Sequence, residues 1–371
     1  MKQCQLLCGA LALTVTLLMA ADTPAKHPDP TPDTIPLGGN YSPKPEQGVF
    51  ATASSGGRIL VSRDDGKTWQ ETLLATTEPG DGDHGPWGFC NLQYDNGLLA
   101  AFFGWTGGNK NGRIIASDDG KVWTHISSVE KNLPDSTQGM AAKGILLQAA
   151  TPWSMRISRD LGNTWAPIAL APEILKDLKT HHMKSAYGDY QGGRMIILGD
   201  GLTGFYSKDL GKTWSPAVNE GAPTPYYRSR IVFGNGVFVY GANVDKKEVS
   251  VGVSRNGGET WQKVIVAVEN PTQPSLSFVK GEFWLTGKKS PKASKDGIAW
   301  HDLPETIPSG SFAASENGTL ICVNAGEVGT IKRSGDGGKT WEVTFKHDTP
   351  KDEQATWRFR DVIYGKVKAL P

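Results

Sequence analysis

Short apolar segments separated by glycine-rich turns run along most of the chain. The most regular stretch has such segments at 230–233, 237–240, 248–253 and 260–266. Short segments rich in β-branched and aromatic residues predict strands rather than helices. The Gly-Asn-Gly sequence at 234–236 is typical of a tight hairpin turn between the first two segments. This stretch therefore predicts four antiparallel strands that form one small sheet.

An eight-residue phrase, Ser-x-Asp-x-Gly-x-Thr-Trp, recurs along the chain. Its five good copies lie at 62–69, 158–165, 207–214, 254–261 and 334–341. Two worn copies complete the set. The copy at 116–123 keeps Asp118, Gly120 and Trp123, and the copy at 293–300 keeps Gly297 and Trp300. Serine and aspartate side chains hydrogen-bond the backbone amides of tight turns, and glycine accepts a positive φ there. The phrase therefore predicts a structural turn that leads into a strand beginning with Thr-Trp.

The spacing of the seven phrases predicts the architecture. Their tryptophans recur about every 45 residues, which is the length of one four-stranded propeller blade. We therefore expect an all-β fold, a seven-bladed β-propeller of four-stranded antiparallel blades. The segment before residue 48 predicts a poor inner strand because Pro43 and Pro45 lack amide donors. Residues 361–365 copy the inner-strand pattern of 230–234, so we expect this C-terminal strand to enter blade 1 and close the ring.

The recurring phrase resembles the Asp box, or BNR repeat, of sialidases and of non-sialidase propellers such as the photosystem II assembly factors. The resemblance covers about residues 48–345 and implies the fold more than any activity. Sialidases bind the substrate carboxylate with three arginines, and the first lies in an Arg-Ile-Pro sequence before the first Asp box. This chain has Thr34-Ile35-Pro36 there and no arginine before Arg58. A Tyr-Glu nucleophile pair cannot be assigned either, so the resemblance favours a non-catalytic relative.

The chain is predicted to have three parts. Residues 1–21 combine a basic start, an apolar run and a small-residue cleavage site, which predicts a secretory signal peptide. Residues 22–45 form a proline-rich leader, and residues 46–371 form the single propeller domain. We therefore expect a secreted or periplasmic protein.

Charge and composition exclude several classes of partner. The formal net charge is +1, which provides no basic field for nucleic acid, and no second apolar run predicts insertion in a membrane. No cofactor or metal is expected, because a loop with Asp81, Asp83 and His84 is more often solvated than metal-bound. Cys90 and Cys322 are the cysteines beyond the signal peptide. Two buried thiols are favoured over a disulfide between them.

Candidate binding residues lie in the irregular loops that join one blade to the next. These loops are expected on the face opposite the Asp boxes, over the propeller axis. Their aromatic rings and cationic groups suit a ligand with carboxylates. The candidate residues are His84, Trp87, His181, His182, Lys184, Tyr226, Tyr227, Arg228 and Arg358.

Two functions fit these residues. The first is a non-catalytic module that binds a glycan or protein partner on the axial face. The alternative is an extracellular carbohydrate-active enzyme that acts on an acidic glycan, either a sialidase-like exoglycosidase or a polysaccharide lyase. A lyase would use a histidine or tyrosine as base beside an arginine, as His181, His182, Tyr227 and Arg228 suggest. The missing early arginine and the lack of an assignable carboxylate pair favour the binding module.

Overall fold

The structure is a computed structural model of the chain. Among the residues that it describes there are 29 strands and no helix. The described residues are 47–54, 57–74, 89–104, 113–125, 139–142, 144–150, 154–160, 162, 164–168, 170, 183–189, 192–199, 204–224, 230–245, 248–268, 274–287, 289–324, 326–351, 354 and 356–370.

Seven sheets form the blades, and their strands are antiparallel except for one added edge strand in blade 5. Blades 1 to 4 contain the strands β1 (Gln47–Ser54), β2 (Arg58–Ser62), β3 (Gln70–Leu74), β4 (Phe89–Asp95), β5 (Leu98–Gly104), β6 (Arg113–Ser117), β7 (Thr124–His125), β8 (Gly139–Ala142), β9 (Ile145–Ala150), β10 (Ser154–Ser158), β11 (Ala166–Pro167), β12 (Met183–Asp189), β13 (Arg194–Gly199), β14 (Gly204–Ser207) and β15 (Ser215–Pro216). Blades 5 to 7 and the closing strand comprise β16 (Val218–Glu220), β17 (Ile231–Gly234), β18 (Val237–Asp245), β19 (Glu248–Ser254), β20 (Thr260–Ala267), β21 (Ser275–Val279), β22 (Glu282–Thr286), β23 (Lys292–Ser294), β24 (His301–Asp302), β25 (Ser311–Ala314), β26 (Leu320–Val323), β27 (Thr330–Ser334), β28 (Glu342–Lys346) and β29 (Phe359–Val367).

The innermost strands of the blades surround the propeller axis. In ring order they are β29, β4, β8, β12, β17, β21 and β25, and each contacts the next, with β25 returning to β29. Apolar side chains fill the spaces between neighbouring sheets, for example Ile59 and Leu99 between blades 1 and 2. The predicted seven-bladed all-β propeller is confirmed.

Blade 1 is built from both ends of the described chain. β29 pairs with β1 along its whole length, with Phe50 opposite Tyr364 and a bulge at Ala53/Ser54. Phe359 and Val367, at the two ends of β29, are fully buried. The prediction that a C-terminal strand closes the ring is therefore confirmed.

The fourth Asp box shows how the turn is held together. The Ser207 hydroxyl donates to Asp209 Oδ1 (2.7 Å) and accepts the Gly211 amide (2.7 Å). Asp209 in turn accepts the amide and the hydroxyl of Thr213, at 2.9 and 2.6 Å. Gly211 has φ +76°, and a Cβ there would lie 2.7 Å from Ile157 Cδ1 of blade 3. The box thus requires glycine both for its backbone conformation and for space.

The two incomplete copies of the phrase, at 116–123 and 293–300, are complete boxes with one residue fewer. This corrects the assignment of their polar residues from the sequence. In blade 2 the Ser117 hydroxyl accepts the Gly120 amide, and Asp119 rather than Asp118 accepts the amides of Lys121 and Val122. In blade 6 the Ser294 hydroxyl donates to Asp296, whose Oδ1 accepts two amides of the turn. Serine lies three residues before glycine in these boxes and four in the others, so a fixed-length pattern misplaces both polar residues.

Asp boxes and the first hairpin turns lie on one face of the ring, which we call the box face. Asn235, in the first hairpin turn of blade 5, donates to the carbonyls of Gly281 in the corresponding turn of blade 6 and Lys295 in the blade 6 box. In five of the seven boxes, a basic side chain within the box or directly before it contacts the box of the following blade. These links are Arg63 to Asp119, Arg159 to Leu210, Lys208 to Glu259, Arg255 to Asp296 and Arg333 to Asp65.

Two further features concern the outer and inner parts of the blades. β16 pairs in parallel with β20, so blade 5 has five strands where four were predicted.

Cys322 is a free, buried thiol on β26, which agrees with the preferred prediction of unpaired cysteines for this residue. Burial raises the pKa of the thiol. Cys90 lies on β4, and its side chain is outside the described part of the structure.

Candidate functional site

The inner strands begin on the face opposite the boxes, which we call the axial face. Three polar residues lie where these strands start: Arg230 directly before β17, Asn91 near the start of β4 and Asp361 near the start of β29. In the ring, blade 5 lies across the axis from blades 1 and 2. The three residues therefore come from opposite sides of the central channel.

Arg230 spans the mouth of this channel. Its Nη2 forms an ion pair with Asp361 of blade 1 and donates to Asn91 Oδ1 of blade 2 at 2.9 Å. It also donates to the backbone carbonyl of Leu92. The Leu92 amide donates to Asp361 Oδ2 (3.3 Å), so the carboxylate is held both by the neighbouring blade 2 and by blade 5 across the axis.

The two charges of this bridge differ in exposure. The Asp361 side chain is 8% exposed, whereas the Arg230 side chain is 33% exposed. A buried carboxylate is stable when it is paired and hydrogen-bonded, and Asp361 meets both conditions. The backbone around it is fixed as well, because Thr52 Oγ1 donates to the Asp361 carbonyl at 2.6 Å. The bridge thus holds a partly exposed guanidinium at a defined place over the axis.

A second cationic cluster lies beside the start of β29. The indole of Trp357 stacks on the imidazole of His347, with ring centroids 3.8 Å apart and planes 13° apart. The guanidinium carbon of Arg58 lies 4.4 Å from the Trp357 ring, a cation–π contact. Arg58 also forms a 2.5 Å ion pair with Glu71. The cluster joins the segment that follows the last strand of blade 7 to the third strand of blade 1, β2.

Arg358 follows Trp357 directly and is partly buried. Its Nε, the Nε of Arg58 and the indole nitrogen of Trp357 are all buried without a hydrogen-bond acceptor. A buried donor without an acceptor costs about 1–3 kcal/mol. Together with the axial bridge, these groups make this part of the axial face rich in arginine side chains, of which Arg230 and Arg58 are paired with carboxylates.

Comparison with known proteins agrees with the fold. The model of the BNR/Asp-box repeat matches residues 205–216, which span the fourth box. The chain is a β-propeller whose blades carry Asp-box turns. No protein of curated function matches it in sequence.

Solved structures similar to this Asp-box propeller include two of YCF48. One is described as YCF48 bound to D1 peptide, with 16% identity and a TM-score of 0.48 over 66% of this chain and 77% of that one. The other is YCF48 from Cyanidioschyzon merolae, with 14% identity and a TM-score of 0.49 over 78% of this chain and 94% of that one.

Most of the binding residues predicted from the sequence lie outside the described part of this Asp-box propeller. These residues are His84, Trp87, His181, His182, Tyr226, Tyr227 and Arg228. Lys184 lies on the inner strand β12, and its side chain is not described. Arg358 is described and lies directly before β29, on the axial face, and its role in binding stays a prediction.

Arg230, Asp361 and Asn91 are site residues that the sequence did not predict. Arg230 and Asp361 were recognised as the starts of inner-strand segments, and that position was itself a usable signal. A charged residue at the start of an inner strand lies near the mouth of the channel, since the strand runs beside the axis. The contacts between these residues are harder to predict from the sequence, because Arg230 and Asn91 lie 139 residues apart.

The described residues contain no group of three or more histidine, cysteine, aspartate or glutamate side chains that could hold a metal ion. Over the same residues, no helix is long and apolar enough to span a membrane.

Proposed function

We propose that this Asp-box propeller is a non-catalytic binding module that holds an anionic segment of a protein or glycan partner on its axial face. The proposal rests chiefly on the position of Arg230. Its guanidinium is fixed over the channel by contacts to two opposing blades, and a third of the side chain is exposed. A planar guanidinium held in place in this way suits the recognition of a carboxylate by paired hydrogen bonds.

The cluster beside β29 supports the same ligand chemistry. Arg358 adds a positive charge near the start of β29, beside Arg58, whose own charge is paired with Glu71. Arg230, Arg58 and Arg358 thus bring three guanidinium groups to the axial face, and those of Arg230 and Arg58 are each paired with a carboxylate. Local charge of this kind steers and orients an anionic partner.

Asp361 supports binding rather than catalysis. A general acid must donate a proton to the substrate in the transition state. The Asp361 carboxylate instead accepts the Leu92 amide and is paired with Arg230. Both contacts assign it an anchoring role at the channel mouth.

A binding screen with matched variants tests the proposal. The purified chain is screened by calorimetry against polygalacturonate, hyaluronan, sialyllactose and a library of acidic peptides, and product release is followed in the same samples. For any ligand found, the double variant Arg230→Ala/Asp361→Asn removes both charges of the bridge together. We expect it to weaken binding at least about tenfold, the cost of one to two charge-assisted hydrogen bonds.

Arg255→Ala is the matched control, because Arg255 lies on the box face in an exposed ion pair with Asp296. It should bind like the unmodified chain. Equal binding by the double variant would place the site elsewhere. Turnover of a polysaccharide or sialyl substrate would instead favour the enzyme alternative.

We also propose that the protein is exported, with residues 1–21 removed and residues 22–45 forming a leader to the propeller. The proposal rests on the three-part pattern of the N-terminus. Intact mass of the protein recovered from the periplasm or medium should place the mature N-terminus near Asp22. A mature protein that retains Met1 would contradict it.

A further inference from the structure

The carboxamide of Asn91 has a defined orientation at the channel mouth. Arg230 Nη2 lies 2.9 Å from it, and a guanidinium nitrogen can only donate a hydrogen bond. The contacting atom is therefore Oδ1, which fixes the positions of oxygen and nitrogen in this side chain. Within the described part of the chain, Asn91 Nδ2 has no hydrogen-bond acceptor, and the residue is partly exposed. Asn91 thus places an amide donor beside the guanidinium.

Asp361 cancels the charge of Arg230 at this place. The Leu92 amide and Arg230 Nη2 both contact one oxygen of the carboxylate, Oδ2. The pair therefore has no net charge, and the guanidinium is the more exposed of its two members. A ligand meets exposed hydrogen-bond donors at a site whose two described charges cancel.

A site of this kind favours a ligand group with a single negative charge. The attraction to a guanidinium grows in proportion to the charge of the ligand, whereas the cost of removing an ion from water grows with the square of its charge. A neutral group avoids this cost but loses the charge-assisted hydrogen bond. The balance is best for a carboxylate. It is worse for a phosphate monoester, which is mostly doubly charged at about pH 7.5 because its second pKa is about 6.

We propose that Asn91 is a second ligand-contacting residue and that Asn91 and Asp361 make this site specific for a singly charged carboxylate. Asn91 Nδ2 donates to one oxygen of the ligand carboxylate, and the guanidinium of Arg230 binds the other. Asp361 keeps the site from attracting doubly charged groups. This inference deepens the proposed function and rests on it.

Isosteric substitutions change the charge of the site in single steps. Asn91→Asp keeps an acceptor for Arg230 and adds one negative charge. Asp361→Asn removes one negative charge and retains an oxygen for the Leu92 amide. Asn91→Ala removes the amide donor without a change of charge. Asn317→Asp is the matched control, because Asn317 is exposed in the first hairpin turn of blade 7, on the box face.

Polymers that differ only in their charged group serve as probes: carboxymethyl-dextran, phosphorylated dextran of equal substitution, and plain dextran. Calorimetry at about pH 7.5 and constant ionic strength measures the dissociation constant per charged group. We expect the unmodified chain to bind carboxymethyl-dextran at least about threefold more tightly than phosphorylated dextran. Asp361→Asn should abolish or reverse this preference.

The Asn91 variants test the second contact. Asn91→Ala should weaken the binding of carboxymethyl-dextran about 2- to 10-fold, and Asn91→Asp should weaken it more than about 10-fold. Asn317→Asp should bind like the unmodified chain. Thermal unfolding checks that each variant folds. If Asp361→Asn does not fold, the Asn91 variants and the preference of the unmodified chain still decide the question.

The inference and the proposed function can fail separately. If none of the polymers binds, or if Asn91→Asp and Asn317→Asp bind alike, the axial site is overturned together with this inference. If Asn91→Asp alone weakens binding but the unmodified chain prefers phosphorylated dextran, the axial site stands and its specificity for a carboxylate is overturned.

Discussion

Arg333 and Asp65 join the last blade to the first on the box face. The Nε of Arg333 donates to the Asp65 carbonyl at 2.8 Å, across 268 residues of sequence. The same two blades are joined again by the strand β29, which follows blade 7 in the chain and pairs with β1 in blade 1. Closure therefore combines a complete inner strand with a contact between two boxes.

Loss of β29 should abolish cooperative folding. Truncation after Lys351 removes the inner strand of blade 1, including the fully buried Phe359 and Val367, and exposes the apolar side of β1. Thermal unfolding followed by circular dichroism should lose its single sharp transition. Truncation after Lys368 is the control, because it keeps β29 and the hydrogen bond from the Lys368 amide to the Asp118 carbonyl, and it should unfold like the full chain.

The shortened box of blade 2 predicts different effects for two adjacent aspartates. Asp119→Ala removes the acceptor of two turn amides and of the Ser117 hydroxyl, so we expect a loss of about 1–2 kcal/mol in the free energy of unfolding. Asp118→Ala should change the free energy of unfolding by less than about 0.5 kcal/mol. The hydrogen bond at Asp118 is accepted by its backbone carbonyl, from the Lys368 amide, and the substitution keeps that carbonyl. Urea unfolding measures both. A larger loss of stability for Asp118→Ala than for Asp119→Ala would show that Asp118 is the aspartate of the box.

The box aspartates should make the free energy of unfolding fall at acidic pH. Burial raises the pKa of Asp209, but hydrogen bonds from Thr213, Ser207 and Lys212 outweigh it and hold the pKa below its ordinary value. Because the folded-state pKa is the lower one, this stabilisation is fully present above the ordinary aspartate pKa of about 3.9 and is lost as the pH falls below it. The same direction holds for the pKa values of the other box aspartates Asp64, Asp119, Asp160, Asp296 and Asp336.

Asn256 provides the matched substitution for this test. In the blade 5 box, its Oδ1 accepts the Thr260 amide and its Nδ2 donates to the Thr260 hydroxyl, so asparagine keeps the geometry without a titrating group. Asp209→Asn should therefore be less stable at neutral pH and should approach the unmodified chain below about pH 4. Unfolding free energies from pH 2 to 7 measure the difference, and curves that stay parallel would show that Asp209 does not contribute.

The axial bridge should behave as a coupled pair. Arg230→Ala leaves the buried Asp361 carboxylate without its cation, and we expect a loss of about 2 kcal/mol, less than the 3–5 kcal/mol of fully buried pairs because Arg230 is partly exposed. Adding Asp361→Asn should recover part of this loss. A double-mutant cycle in urea measures the coupling, and additive effects would mean that the two charges do not interact.

The sequence predicts the blades well because each depends on local signals. The expected strands at 237–240, 248–253 and 260–266 correspond to β18, β19 and β20, and Asn235 and Gly236 adopt the positive φ values of the expected turn. The closing strand was found because residues 361–365 repeat an inner-strand pattern. These features depend on alternation, turn chemistry and repetition.

Other features depend on distances that no local pattern encodes. Arg230 meets Asp361 because two inner strands begin on opposite sides of the same channel. β16 adds to blade 5 although its three residues follow the outer strand of blade 4. Seven of the nine binding residues predicted from the loops lie outside the described part of the chain, so the ligand contacts they were assigned stay predictions.

The order of strands in blade 1 has a consequence for how the protein is made. β1 is the first described strand to be synthesised and β29 is the last, so the inner position of blade 1 stays empty until translation has passed Val367. Six blades can form in turn on the emerging chain, but the ring remains an open arc with an unpaired β1 edge. Completion of the ring therefore depends on the last described strand to be synthesised, and a chain whose synthesis stops before Val367 is left as an open arc.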